Sequence, residues 1–179
     1  MKLMNRLERF FVDTIAPSNK RKRKYLCKMG AIIGRGTRFN CKTNAFGTEP
    51  WLISIGEDCL IATDVHFITH DGAIKVLNTL GSFGNSQMDK MGSIRIGNNV
   101  YIGMGAYIMP NVVIGDNCII GARAIVTKDI PSNSVAVGVP AKVIETIDDY
   151  YHHCKDTVLD LSAMTESEKK EFLVHKYMK

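Results

Sequence analysis

Histidine side chains offer the clearest chemistry in this sequence, because the reference pKa of histidine, about 6.5, suits proton transfer near neutral pH. Of the five histidines, three lie in the polar C-terminal segment: His152, His153 and His175. The remaining two, His66 and His70, lie mid-chain, and Asp71 directly follows His70. A histidine that acts as a general base needs its other ring nitrogen held by an acceptor, and Asp71 is the acceptor nearest in sequence to His70.

The cysteines do not indicate a disulfide or zinc framework. They are odd in number and form no CxxC pair: Cys27, Cys41, Cys59, Cys118 and Cys154. We expect them to fill the core of a cytosolic protein rather than to supply a catalytic thiol. A three-histidine metal site is not expected either, because no histidine precedes His66.

A six-residue repeat provides the scaffold on which these groups must lie. An aliphatic residue recurs without a gap at Ile96, Ile102, Ile108, Ile114, Ile120 and Val126. Four positions later in each unit stands a small or aliphatic residue: Val100, Ala106, Val112, Cys118, Ala124 and Ile130. In an extended strand the two series point to the same face, and glycine or polar turn formers mark the corners between strands. This spacing predicts a mainly β protein built as a parallel β-helix, in which three repeat units form the three sides of each coil.

The same period is weaker upstream, where it is interrupted twice. The first break lies around Phe46 to Leu52, and the second, at about residues 71–93, is over twenty residues long. Long loops that leave a rigid scaffold are usually functional, so this loop is a candidate substrate arm. His70 lies where the repeat ends and the loop begins, a good place to hold a base against a substrate. His66 points outward by strand parity and is expected to be exposed or to line a groove.

Two non-repeating segments flank the solenoid. Residues 3–15 have apolar residues at helical spacing, which predicts an amphipathic helix capping the open end: Leu3, Leu7, Phe10, Phe11 and Ile15. Near the C-terminus, Thr165 and Glu168 form a capping box ahead of a helix. We therefore divide the chain into an N-terminal helical and basic segment (1–30), the β-helix (31–144) and a C-terminal helical tail (145–179).

The overall charge of +5 is a mild excess that comes largely from the run Lys20–Lys24. Such a run is usually a solvated connector, and its other interpretation is a peripheral contact with an anionic surface. Nucleic-acid binding is not expected, since no aromatic residues are interleaved with the run. The N-terminal stretch carries Arg6, Glu8 and Arg9 among its apolar residues, so it predicts neither a secretory signal nor a transmembrane segment, and the protein is expected to be cytoplasmic.

The segment IGNNVYIGMGAYIMPNVVIGDNCIIGARAIVTKDIPSNSVAVGVPAKVI, Ile96 to Ile144, resembles the hexapeptide-repeat acyltransferases. The preceding FGTEPWLISIGEDCLIATDVHFITHDG, Phe46 to Gly72, is similar to the sugar O-acetyltransferases of that superfamily, both the maltose and galactoside types and those of polysaccharide and lipopolysaccharide synthesis. The resemblance implies a left-handed β-helix, a homotrimer with active sites between subunits, and acetyl transfer from acetyl-CoA to a hydroxyl of a sugar or glycan precursor. The handedness comes from the resemblance alone, since parallel crossovers are ordinarily right-handed.

The resemblance also implies that His70, the histidine of THDG, is the catalytic base. Related enzymes orient this histidine with an adjacent acidic residue or with a residue from the preceding coil, which leaves Asp71, Asn44 and Glu49 as candidates.

The cofactor-binding residues implied by the resemblance are Gly103, Met104, Ala122, Thr127, Lys128 and Lys142. A backbone N–H at Gly103 or Met104 would face the thioester carbonyl, and Ala122 would line the channel. The phosphates would meet the side chains of Thr127, Lys128 and Lys142.

Two residues depart from the family pattern. Arg123 stands where these proteins often have glycine, and Glu145 where some have a second basic residue.

Other functions on the same scaffold stay open, because a scaffold does not determine its acceptor. They are xenobiotic, serine and nucleotide-sugar N-acetyltransferases. A non-catalytic β-solenoid would explain the repeat, but it gives no reason for His70 and Asp71 at the mouth of a long loop.

Overall fold

The computed structural model describes residues 7–178. Its strands are β1 (Ile32–Ile33), β2 (Arg38–Phe39), β3 (Ile53–Ile55), β4 (Leu60–Ile61), β5 (His66–Phe67), β6 (Ile94–Ile96), β7 (Tyr101–Ile102), β8 (Tyr107–Ile108), β9 (Val113–Ile114), β10 (Ile119–Ile120), β11 (Ile125–Val126), β12 (Ser134–Gly138) and β13 (Ala141–Thr146). The helices are α1 (Asn19–Lys28), α2 (Ile74–Thr79), α3 (Ile147–Cys154) and α4 (Glu166–Tyr177), with a π-helical turn at Phe11–Ile15 and 3₁₀ turns at Thr43–Phe46 and Pro50–Leu52.

The strands form three sheets, which are the three sides of a parallel β-helix. The sheet orders are β1-β3-β6-β9, β2-β4-β7-β10-β12-β13 and β5-β8-β11. Ile96 pairs with Ile114, Ile102 with Ile120, and Ile108 with Val126, so each partner lies three repeat units further along the chain. The predicted coil length and stacking are therefore confirmed. All six of these side chains are buried, because alternate residues of each short strand point into the coil.

The final coil departs from the strict period. Ile119 pairs with Val135, whereas three full repeat units would have brought it to Val137, so this coil is shorter than the others. The chain then reverses, and β13 runs antiparallel to β12 instead of continuing the solenoid. The predicted limit at residue 144 thus falls inside β13, which extends to Thr146.

Helix α1 covers the first coil and places the basic run on structured backbone. The Lys22 ammonium is buried and donates to the carbonyl oxygens of Phe39 at 3.2 Å and Cys41 at 2.7 Å, while Arg23 Nε donates to the Ile33 carbonyl at 3.1 Å. A solvated connector is therefore the wrong description of this run. Because the end of a solenoid leaves strand-edge carbonyls unpaired, these cations stabilise it by supplying donors.

The predicted N-terminal apolar face is not buried in the single chain. Phe10 and Phe11 are about half exposed, at 56% and 47%, and Leu7 and Ile15 are more exposed still, whereas the buried residue of this segment is Val12. Leu3 lies outside the described residues. Asp13 ties the segment to the first coil, since its carboxylate accepts hydrogen bonds from the Thr43 N–H and hydroxyl, both at 2.8 Å. The helical spacing of the apolar residues therefore did not identify the buried face.

Residues 149–179 form a separate compact unit. Within it, α4 begins at Thr165, whose hydroxyl accepts from the Glu168 N–H at 3.3 Å while Glu168 Oε2 accepts from the Thr165 N–H at 2.8 Å. This reciprocal pair is the capping box, and it satisfies backbone donors at the start of the helix.

Candidate active site

His70 and Glu49 form the central contact of the candidate site. Glu49 Oε2 lies 3.0 Å from Nδ1 of His70. Glu49 belongs to the short break between the Thr43–Phe46 and Pro50–Leu52 turns, and His70 follows β5 in the same coil region. The carboxylate is 13% exposed and the imidazole 50% exposed, so the pair has a buried anchor and an accessible end. Because Nδ1 is taken by the carboxylate, Nε2 is the nitrogen available to a substrate.

Glu49 is held as a carboxylate by a set of donors. Burial alone would raise its pKa, but hydrogen bonds from Thr48, Thr69 and His70 outweigh burial and hold the pKa of Glu49 below its ordinary value. Thr69 is fully buried, and its hydroxyl donates to Glu49 Oε2 at 2.7 Å. A carboxylate fixed in this way keeps the proton of the imidazole on Nδ1.

Asp71 and Asn44 have other contacts. The two oxygens of Asp71 accept from the Ala73 N–H at 3.0 Å and from the Lys90 ammonium at 2.9 Å, and this ion pair holds the pKa of Asp71 low. Asp71 is therefore not placed to orient His70, although it is adjacent in sequence. Asn44 is exposed and lines a different cleft, beside Asp13. Of the three candidates, only Glu49 is brought to the ring.

The backbone of His70 is fixed by the returning end of the long loop. His70 and Met91 form an antiparallel bridge, the Asp71 N–H donates to the Lys90 carbonyl at 2.8 Å, and the Gly92 N–H donates to the Thr69 carbonyl at 2.8 Å. The loop between these contacts contains α2 and is tied internally by Asn78, whose side chain bonds both the N–H and the carbonyl of Met88. The two ends of the arm thus meet beside the candidate base.

A cleft of about 460 Å³ opens beside His70. Its lining combines apolar side chains with polar ones: Ile68, His70, Asp71, Gly72, Lys90, Met91, Met109, Pro110 and Asn111. Apolar walls with a few convergent polar groups are typical of small-molecule sites.

Three further side chains contact the site and were not predicted from the sequence. Thr48 and Thr69 donate to Glu49, and Lys90 donates to Asp71. A signal existed for Thr69, because it occupies an inward position after Phe67, where a buried hydroxyl needs a partner. No comparable pattern indicated Lys90.

A second cleft of about 440 Å³ lies along the corner that contains Met104. Its lining residues are Asp64, His66, Met104, Gly105, Tyr107, Arg123 and Ile125. The rings of His66 and Tyr107 stack at 4.8 Å between centroids and 18° between planes, so His66 lines a groove as expected from strand parity.

The expected cofactor residues occupy several positions along the last coils. A Cβ on Gly103 would lie 2.5 Å from the Ala122 nitrogen, so glycine lets these two coils approach closely. The Gly103 N–H, however, donates to the Ile120 carbonyl at 2.8 Å and is not available to a thioester. Met104 is therefore the better expected donor, and its side chain is 56% exposed.

The three residues expected to meet phosphates are exposed: Thr127, Lys128 and Lys142. Thr127 and Lys128 directly follow β11, at the corner where the final coil is shortened, and Lys142 lies on β13 opposite Val137. Exposed cations on the last coils suit a phosphate-bearing ligand.

Within residues 7–178, no group of three or more histidine, cysteine or acidic side chains is arranged to hold a metal ion. Over the same range, no helix is both long and apolar enough to cross a membrane.

Several known proteins are similar to this chain in sequence or in architecture. A family model for the bacterial transferase hexapeptide (six repeats) matches residues 93–128. Protein CapG of Staphylococcus aureus is 38% identical over 151 residues, which are 84% of this chain and 86% of that protein. Galactoside O-acetyltransferase of Escherichia coli K12 is 40% identical over 129 residues, 69% of this chain and 59% of that protein. A solved galactoside acetyltransferase in complex with coenzyme A is 26% identical, with a TM-score of 0.52 over 84% of this chain and 82% of that one.

The parallel coils and the matched repeats define a hexapeptide-repeat protein of the left-handed β-helix class. The chain belongs to the bacterial hexapeptide transferase family, and it is an acyltransferase of that family.

Proposed function

We propose that this protein transfers an acetyl group from acetyl-CoA to a hydroxyl of a sugar or glycan precursor, with His70 as the general base. The observation that carries the proposal is the contact of His70 Nδ1 with Glu49, which leaves Nε2 free on a half-exposed ring that lines a cleft of about 460 Å³. The relatives named for galactoside O-acetylation and for coenzyme A binding support the choice of acceptor class and donor.

In the proposed reaction, His70 Nε2 accepts the proton of the acceptor hydroxyl as its oxygen bonds to the thioester carbonyl carbon. The carbonyl oxygen becomes an oxyanion and accepts a hydrogen bond from the N–H of Met104. Because His70 and Met104 line different clefts of one chain, this N–H is proposed to come from a neighbouring subunit of the trimer. The tetrahedral intermediate then expels the CoA sulfur, which takes the proton back from His70. Glu49 stabilises the imidazolium in between, because its carboxylate faces Nδ1. The products are the acetyl ester and free CoA.

The assembly and location are part of the same proposal. We infer a homotrimer with the donor sites between subunits, working in the cytoplasm, where acetyl-CoA and activated sugars are both available. Lys128 and Lys142 are proposed to meet the CoA phosphates, because both are exposed on the last coils. The segments 1–30, 31–144 and 145–179 are proposed as its functional divisions, with the β-helix carrying the chemistry.

The test is a CoA-release assay with acetyl-CoA and a panel of sugars, nucleotide sugars, oligosaccharides and amino compounds. We expect release with a hydroxyl acceptor and an acetyl ester in the product, identified by mass spectrometry and by its lability to mild base. Exclusive acetylation of amines would contradict the O-acetyltransferase assignment. Binding of no CoA at millimolar concentration, measured by thermal shift, would contradict acyl transfer itself.

A further inference from the structure

Arg123 is an exception among the corner residues of the solenoid. Within the described part of the chain, seven non-glycine residues have a positive φ. Six are asparagine or aspartate, which tolerate the left-handed region: Asp58, Asp64, Asn99, Asn111, Asn117 and Asn133. The seventh is Arg123, with φ of 58°. A long side chain held in this conformation points to a function, because the strain persists only where something compensates for it.

The corner places Arg123 next to the expected thioester site. The Arg123 N–H donates to the Met104 carbonyl at 2.8 Å, and one coil earlier the Gly105 N–H donates to the Thr63 carbonyl at 3.0 Å. Arg123 therefore stands directly beside Gly105 on the next coil. A Cβ built on Gly105 would lie 3.3 Å from Arg123 Cγ, so the side-chain stem of Arg123 lies against the glycine.

The Arg123 guanidinium lines a cleft and has no acidic partner in the described part of the chain. Arg123 lines the cleft of about 440 Å³ together with Met104 and the stacked rings of His66 and Tyr107. Among residues 7–178 its guanidinium forms no ion pair within 4.0 Å, although Asp64 lines the same cleft. A cation that is unpaired in a cleft is free to donate hydrogen bonds to a bound molecule.

We propose that Arg123 is a donor-binding residue, whose guanidinium bonds an amide carbonyl of the pantetheine arm of acetyl-CoA. The inference rests on the proposed function. Adjacent coils are ~4.8 Å apart, so Arg123 reaches the part of the arm just beyond a thioester held at Met104. That part of the ligand carries two amide carbonyls and no phosphate. The phosphates are proposed to meet Lys128 and Lys142, which are both exposed.

The test compares Arg123→Gly and Arg123→Gln with the wild-type enzyme by isothermal titration, using CoA and pantetheine as separate ligands. We expect Kd for both ligands to rise about tenfold or more, the scale for a lost hydrogen bond to a charged group. Because glycine adopts a positive φ without steric cost, the melting temperature of Arg123→Gly should not fall below that of the wild type. Arg95→Gln is the matched control, since Arg95 is an exposed arginine on β6 in another sheet, and its Kd should equal that of the wild type.

The outcomes separate this proposal from the proposed function. Unchanged affinity for both ligands in Arg123→Gly and Arg123→Gln would overturn the role of Arg123. Weaker binding of CoA with unchanged binding of pantetheine would overturn the amide contact and place the guanidinium on a phosphate. A wild-type protein that binds neither ligand would instead refute the proposed function.

Discussion

Glu49 Oε2 contacts His70 Nδ1 at 3.0 Å across 21 residues of chain. The contact joins the two interruptions of the repeat, since Glu49 belongs to the first break and His70 stands at the start of the second. The residues proposed to carry the chemistry thus lie where the repeat is interrupted, and the surrounding coils hold them together.

Replacement of His70 by alanine removes the proposed base. We expect the rate of CoA release to fall by ~10² to 10⁴. The affinity for CoA should change little, because the CoA phosphates are proposed to meet Lys128 and Lys142 rather than His70. Stopped assays with acetyl-CoA and titration with CoA measure the two quantities. Full activity in His70→Ala would refute the mechanism.

Replacement of Glu49 by glutamine keeps the shape of the side chain but removes its charge. We expect kcat to fall by about tenfold to a hundredfold, as for other residues that orient a functional histidine. Asp71→Asn is the matched control, because Asp71 is adjacent to His70 but pairs with Lys90. Its effect should stay within about fivefold, the scale of an exposed ion pair. The reverse ranking of the two variants would assign the orienting role to Asp71.

The low pKa of Glu49 predicts a pH-dependent contribution to stability. A carboxyl whose pKa is depressed by folding stabilises the folded state above its ordinary value of 4.5, and this stability is lost as the pH falls through the lower folded value. The free energy of unfolding of the wild type minus that of Glu49→Gln should therefore decrease as the pH falls below about 4.5. Denaturant titrations at a series of pH values measure it. A difference that grows as the pH falls below about 4.5 would show that the pKa of Glu49 is raised instead.

Thiol reactivity should divide the cysteines into two groups. Burial raises the pKa of Cys41 to about 11 and also raises the pKa of Cys59 and Cys118, while Cys27 is exposed and Cys154 partly exposed. Only Cys27 and Cys154 should react rapidly with a thiol reagent at pH 8, since the thiolate is the reactive form. Mass mapping of the labelled native and unfolded protein identifies the sites. Rapid labelling of Cys41 in the native protein would contradict the buried setting.

Lys22→Met should destabilise the fold, because it leaves the carbonyls of Phe39 and Cys41 without their buried donor. The expected loss is about 1–3 kcal/mol of unfolding free energy. Lys20→Met is the control, since Lys20 is exposed on the same helix, and it should change stability by no more than about 0.5 kcal/mol. Equal effects of the two changes would indicate that Lys22 stabilises the fold only through its positive charge and not through these hydrogen bonds.

The sequence predicted the coils well because their period is short and strictly kept. Every coil-to-coil stack from Ile96 to Val126 follows from the six-residue spacing, because each residue pairs with the one three repeat units further along the chain. The choice of partner for His70 could not be made in the same way. The local sequence is compatible with Glu49, Asn44 or Asp71 as the partner of His70. Asp71 instead pairs with Lys90, which lies 19 residues further along the chain.

The terminal segments were harder to predict, because their packing depends on partners distant in sequence. The spacing of Phe10, Phe11 and Ile15 indicates a helix but does not show which face is covered. Likewise, the run Lys20–Lys24 has the composition of a solvated segment. Only the open carbonyls of the first coil make Lys22 a buried donor.

The long arm leaves and rejoins the β-helix at neighbouring backbone positions, joined by the bridge from His70 to Met91 and the bond from Gly92 to Thr69. Strands β3 and β6 remain paired in register although the whole arm lies between Ile55 and Ile94 in the chain. A segment attached in this way can be lengthened, shortened or exchanged without shifting any coil. If the arm contacts the acceptor, as its place beside His70 predicts, grafting arms between these two anchor points should change the acceptor preference while the imidazole and its carboxylate stay in place.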